Sequence, residues 1–215
     1  MPETVPSPDP QPAPRPAPGP ATRPTRDRIL EAALDRFGTQ GVPGTSLDEI
    51  AADAGVRKQT VLYWFDSKDD LLGAVIAAVA ADLTVDIAAA IRHAGTGFAR
   101  VEATVKAVFR SAVRRPAILG LVRELNRLGP PAADLLSDRL TPLVDRAVAF
   151  LEAEMDAGRM RRADPRLTIA LVYASVVGVA SEPEALRAVG WVPSAAGLRH
   201  LRTELLDYLR AALAP

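Results

Sequence analysis

The sequence predicts an all-α protein of about nine helices. Apolar residues recur at spacings of three and four residues along most of the chain, which places them on one face of a helix. Residue types that cap helices precede several of these segments, and glycine or proline follows them. Each helix is therefore expected to bury one face, and the chain is expected to divide at residues 1–24, 25–70 and 71–215.

The first 24 residues are unlike the rest in composition. They hold ten of the nineteen prolines and almost no large apolar side chain. Such a segment cannot bury enough surface to offset its loss of conformational entropy, so we expect a disordered or polyproline-like tail.

The first folded helix follows this tail. Thr25 is expected to cap the N-terminus of the helix, and Gly38 with the turn after it is expected to end the helix. One apolar stripe runs between them, formed by Ile29, Leu30, Ala33, Leu34 and Phe37.

Two short helices are predicted between Ser46 and Lys68. Ser46 and Glu49 have the spacing of a capping box, and Gly55 favours the left-handed conformation that ends a helix. A second helix then runs from about Arg57 to Phe65. Its outward residues are Arg57, Lys58, Gln59, Thr60, Tyr63 and Trp64. The pattern is that of a helix-turn-helix.

The outward face of this second helix suits DNA, because phosphates bind cations and base edges bind bidentate polar groups. Net charge is zero, and residues 23–70 hold seven Arg or Lys against nine Asp or Glu. We therefore expect salt-sensitive, site-selective binding with weak non-specific affinity. The proline-rich tail is either inert or a mobile arm in which Arg15, Arg23 and Arg26 reach DNA.

Residues 29–72, ILEAALDRFGTQGVPGTSLDEIAADAGVRKQTVLYWFDSKDDLL, resemble the TetR family of transcriptional regulators. The resemblance implies DNA contacts by Arg57, Lys58, Gln59, Thr60, Trp64 and Lys68, to which the outward face adds Tyr63. It does not extend to Leu62, because the family usually has a phosphate-binding tyrosine there. Either that contact is missing, or Tyr63 makes a different one.

Six further helices are predicted after residue 70. They run over about 71–91, 101–115, 117–128, 132–156, 167–180 and 194–213. Helix 167–180 is apolar nearly all round, and the last helix has a clear leucine stripe, so a monomer would expose a large apolar surface. We therefore expect a homodimer interface formed by Leu167, Leu171, Leu198, Leu201, Leu205, Tyr208 and Leu209.

The resemblance further implies a palindromic operator bound by the dimer and a small, mostly apolar effector that releases a repressor. The candidates for its pocket are Phe109, Arg123, Asn126 and Phe150, two aromatic rings with two polar anchors. A ligand-independent regulator with a purely structural C-terminal domain is the alternative.

A helical enzyme is disfavoured. The chain lacks cysteine, a phosphate-binding loop and a histidine–carboxylate motif, so no catalytic residue, cofactor or metal site is predicted. The N-terminus has no apolar secretion signal, and the longest apolar run, residues 167–180, is shorter than the roughly 20 residues that a membrane span needs. We therefore expect a cytoplasmic protein with no membrane contact.

Overall fold

Ten α-helices form the part of the chain that the computed structural model describes, residues 24–181, 183–188, 190–192 and 194–215. They are α1 (Thr25–Gln40), α2 (Leu47–Asp53), α3 (Lys58–Trp64), α4 (Lys68–Arg92), α5 (Phe98–Arg114), α6 (Ala117–Leu128), α7 (Ala132–Asp156), α8 (Pro165–Ser181), α9 (Pro183–Ala188) and α10 (Ala195–Leu213). The all-α prediction is confirmed. Helix α9 was not predicted, because six residues are too few to show a helical period. The predicted tail lies, apart from Pro24, outside the described residues.

The local signals around α2 and α3 produce the expected geometry. The Ser46 hydroxyl accepts the Glu49 backbone N–H at 3.2 Å, and the Glu49 carboxylate accepts the Ser46 N–H at 2.8 Å. Gly55 has φ of +65°, the left-handed conformation that lets the chain turn between the two helices. Arg57 occupies the N-cap position of α3 without a side-chain capping bond.

Helix α1 differs from the prediction at both ends. Thr25 is its first helical residue rather than its cap, because Pro24 occupies the N-cap position. The helix also continues through Gly38 and ends at Gln40, before Gly41 with φ of +79°. Gly38 lies at the point where α1 crosses α6, and its backbone is in close contact with Ala117 and Gly120. This glycine therefore marks a close approach of two backbones and not a helix end.

One hydrophobic core joins the N-terminal three-helix unit, α1 to α3, to the two helices above it. Ile29, Phe37, Ile50 and Val61 are fully buried in this unit. The same cluster includes Leu71, Leu72, Val75 and Ile76 from α4, and Leu121 and Leu125 from α6. The predicted boundary at residue 70 therefore does not separate two hydrophobic cores.

The remaining helices pack into a C-terminal body. Helix α5 lies between α4 and α10, and its Val105 and Phe109 pack against Leu205, Leu206 and Leu209 of α10. A second cluster joins the end of α7 to the end of α10 through Leu151, Met155, Met160 and Leu213. The second half of the C-terminal helix is thus anchored within the same chain.

Helix α4 is also long and apolar enough to cross a membrane by length and composition alone, with a mean hydropathy of 2.0 over its most apolar window. The membrane-span prediction from the sequence, which considered only uninterrupted apolar runs, did not single out α4, because Asp82 and Asp86 interrupt its apolar sequence. Within the fold it packs against α1, α5 and α7, although only 22% of that window is buried.

Candidate nucleic-acid interface

Helix α3 turns one face to the core and the other to solvent. Val61 is fully buried and Phe65, just after the helix, is nearly so. Of the residues predicted to contact DNA, five are exposed side by side, namely Arg57, Lys58, Gln59, Tyr63 and Trp64. Thr60 is half-buried on the same helix. Five of the predicted residues therefore lie on α3 and a sixth, Arg57, lies at its N-cap.

An aromatic pair ends this face. The rings of Tyr63 and Trp64 are 5.5 Å apart between centroids and meet edge to face at 85°. Tyr63 is 76% exposed and Trp64 is 44% exposed, so both rings are open to solvent. The pair presents a stiff, amphipathic ridge with a hydroxyl and an indole N–H as polar ends.

Lys58 forms an ion pair across the two short helices. Its Nζ lies 2.8 Å from Oδ2 of Asp48 on α2, and both side chains are largely exposed. A phosphate that binds Lys58 must therefore compete with Asp48, whose own charge repels DNA. We therefore expect this pair to lower the attraction of the surface for any DNA sequence.

We expect Asp48→Asn to strengthen binding to all DNA sequences alike. The change frees Lys58 and removes a negative charge, so the slope of log affinity against log salt should steepen by about 0.9. Fluorescence anisotropy at several salt concentrations measures this slope. Asp138→Asn, an equal charge change at an exposed site on α7, is the control and should leave the slope unchanged. Equal slopes for both variants would contradict the proposed role of the pair.

Lys68 has a different environment from the other predicted DNA contacts. Its half-buried Nζ donates to the backbone carbonyls of Val42 at 2.9 Å and Thr45 at 3.1 Å. An ammonium group has three donors, so one N–H remains for a phosphate. Lys68 therefore holds the turn between α1 and α2 whether or not it contacts DNA, a role that its position in the sequence did not reveal.

Two arginines of α1 complete the surroundings of this face. Arg26 lies in the first turn of α1, with its guanidinium 5.5 Å from the centre of the Phe65 ring, so it does not belong to the tail. Arg15 and Arg23 lie outside the described residues.

Arg36 donates to Asp53 at 3.0 Å and to Glu49 at 3.2 Å, and its hydrogen bonds hold the pKa of Asp53 below the ordinary value. These bonds tie α2 to α1.

Glu124 of α6 connects the body to the turn before α2. Its side chain is buried, and its Oε1 accepts the backbone N–H of Val42 at 3.0 Å. Arg127 donates to both carboxylate oxygens at 2.8 Å, which, with the Val42 N–H, holds the Glu124 pKa below its ordinary value despite burial. The Glu124–Arg127 spacing is visible in the sequence, but the bond to Val42, 82 residues away, is not. Lys68 and Glu124 thus hold the same turn.

The sequence matches the family described as "Bacterial regulatory proteins, tetR family" over residues 29–75. It is also 30% identical over 148 residues to the HTH-type transcriptional regulator RutR of Escherichia coli (strain K12), covering 68% of this chain and 69% of that protein. The chain belongs to the TetR family of transcriptional regulators. The geometry of α2 and α3 described above is therefore that of the TetR-family helix-turn-helix.

Solved structures share the whole fold. The regulator FadR from Bacillus subtilis in complex with stearoyl-CoA superposes with a TM-score of 0.73 at 16% identity, over 85% of this chain and 96% of that one. AibR in complex with isovaleryl coenzyme A and operator DNA superposes with a TM-score of 0.68 at 16% identity, over 86% of this chain and 97% of that one. At these identities the likeness concerns the fold alone.

The four residues predicted to line the effector pocket of this TetR-family chain do not come together. Phe109 packs in the α5–α10 cluster, and Phe150 packs against the cluster at the end of α7. Arg123 and Asn126 are exposed on α6. Helical spacing does not show which helices face one another, so the sequence could not show whether these four side chains meet in one pocket.

The predicted dimer residues fall into two groups. Leu205 and Leu209 are buried within the protomer against α5, and Leu201 packs on the same cluster. Leu198 is half-buried on α10. The structure therefore contradicts the prediction that this leucine stripe forms a dimer interface, because α5 of the same chain covers most of the stripe. Leu167, Leu171 and Tyr208 are exposed and border a cavity of about 170 Å³ between α8 and α10.

Proposed function

We propose that this TetR-family regulator is a repressor that binds a palindromic operator as a homodimer and is released by a small, mostly apolar ligand. The observation that carries the proposal is the exposed polar and aromatic face of α3, held by the capping box of α2 and the Arg36 bonds. The proposal places the protein in the cytoplasm, where its DNA partner is, and gives it no enzymatic activity.

The dimer is supported by the size of α3 and by the surface of α8 and α10. A helix of seven residues reads only a few base pairs, so two copies related by a two-fold axis are needed for a specific site. Leu167, Leu171 and Tyr208 form an apolar patch on adjacent helices, and a partner's patch would remove it from water.

We expect Leu171→Asp to produce a monomer, because an unpaired carboxylate would be buried in an apolar interface. Sedimentation velocity measures the change in mass, and operator affinity should fall roughly a hundredfold, about 3 kcal/mol. Leu135→Asp is the matched control, since Leu135 is also an exposed leucine but lies on α7. A Leu171→Asp variant that remains a dimer would exclude this interface.

Ligand control is supported by two of the links between α6 of the body and the N-terminal unit. The α1–α6 crossing and the Glu124–Val42 bond transmit any displacement of α6 to the turn before α2. A nearly complete release requires about 5.5 kcal/mol of differential ligand binding between the two states. AibR, on the same fold, was solved with both a coenzyme A ester and operator DNA.

A second candidate, a ligand-independent regulator, is favoured by the small or open form of two cavities on the described part of the chain. The cavity between α8 and α10 has about 170 Å³, and another of about 340 Å³ is an open groove beside Asp35 and Arg36. Neither contains any of the four predicted pocket residues. Effectors of drug size fill enclosed pockets of roughly 300–1,000 Å³.

The deciding experiment is fluorescence anisotropy of the purified protein on DNA from upstream of its own gene, with a shuffled duplex as control, at two salt concentrations. Tight binding to the native fragment alone, with a palindromic footprint, supports the operator-binding proposal. Equal, weak binding to both duplexes contradicts it for this fragment. Release by isovaleryl coenzyme A, stearoyl coenzyme A or choline, ligands named for solved relatives, would favour ligand control over the second candidate.

A further inference from the structure

An aliphatic side chain lies on the polar face of α3. Leu62 is 39% exposed, whereas Val61 and Phe65 fill the core beneath the helix. At about 100° per residue, Leu62 lies about 40° from Lys58 and about 60° from Gln59 around the helix axis. It therefore belongs to the surface that approaches DNA, next to a residue of base-reading type.

A phosphate is a poor partner for this side of α3. Leu62 can neither donate a hydrogen bond nor carry charge, and the charge of its neighbour Lys58 is already paired with Asp48 at 2.8 Å. Isolated exposed leucines are common on protein surfaces and usually remain in water. Leu62 cannot remain so if α3 enters the major groove, since DNA then covers this face.

The major groove offers one apolar group on base edges, the C5 methyl group of thymine. We propose that Leu62 is a specificity-determining residue that packs against a thymine methyl group in each operator half-site. This inference rests on the proposed operator binding. It gives Leu62 a base-reading role at the position for which the resemblance implied a phosphate contact by tyrosine.

The test removes the methyl group and nothing else. Operator duplexes are first selected from a random pool with the full-length protein, and each thymine of one half-site is then replaced by uracil, which keeps base pairing. For the unaltered protein, at least one uracil should weaken binding about fourfold, because burial of one methyl group contributes about 0.8 kcal/mol. Leu62→Ala should bind the thymine and uracil duplexes equally, and Leu62→Met, of similar volume, should retain the preference.

Leu135→Ala is the control variant, since it makes the same change at an equally exposed leucine on α7 and should keep the thymine preference. Circular dichroism confirms that each variant is folded. The inference is overturned if no thymine of the selected site is sensitive to uracil, or if Leu62→Ala shows the same sensitivity as the unaltered protein. Failure to select any sequence would instead contradict the proposed operator binding, and the inference would fall with it.

Discussion

Gly120→Ala is expected to lower the free energy of unfolding by about 3 kcal/mol or more. A methyl group at Gly120 would overlap the backbone carbonyl of Gly38, and one at Gly38 would overlap the carbonyl of Ala117. Backbone atoms cannot rotate aside as a flexible side chain does, so α1 and α6 would have to separate. Urea denaturation followed by circular dichroism measures the loss.

Gly73→Ala is the matched control for this prediction. Gly73 lies within α4, and a methyl group there would meet no atom within 4 Å. Alanine should therefore raise the free energy of unfolding by about 0.8 kcal/mol through its higher helix propensity. Similar stability of the two variants would show that α1 and α6 can separate at little cost. In that case the crossing could not transmit a displacement of α6.

Glu124→Gln is expected to lower the free energy of unfolding by about 2 kcal/mol at pH 7. The Glu124 carboxylate is 7% exposed and accepts hydrogen bonds from both Val42 and Arg127, whereas a neutral amide cannot replace the charge. Because the folded protein holds the Glu124 pKa below its ordinary value, the ionised form is favoured by folding. Its contribution is complete above the ordinary glutamate pKa of about 4.3 and is lost as the pH falls through the lowered folded value.

The difference between Glu124→Gln and the unaltered protein should therefore be largest near neutral pH and should shrink in acid. Denaturation at a series of pH values down to about 3 tests this dependence. Glu152→Gln makes the same change at an exposed position of α7 and should alter stability little at any pH. A difference that stays constant with pH would mean that the charge of Glu124 does not stabilise the fold.

The sequence by itself determined the helices and the face that α3 presents. Ser46 and Glu49 cap α2 and Gly55 turns the chain, as predicted, and the residues predicted to face outward on α3 lie opposite the buried Val61 and Phe65. These features depend on interactions between residues within about four positions of each other, which a linear pattern contains. The same locality made Arg57 through Trp64 recognisable as a candidate surface.

Only the tertiary structure decided which helix covers each apolar stripe. Leu205 and Leu209 have the spacing of an interface, but α5 buries them within the protomer. Periodicity states that a face is apolar and leaves open whether another helix of the same chain or a second protomer covers it.

The tertiary structure also decided the roles of Gly38, Lys68 and Glu124. Gly38 is a backbone crossing rather than a helix end, Lys68 binds the turn before α2, and Glu124 reaches that turn from α6. Each depends on a partner at least 23 residues away along the chain. Residue type and local spacing do not encode such a partner, because the packing of whole helices brings the two groups together.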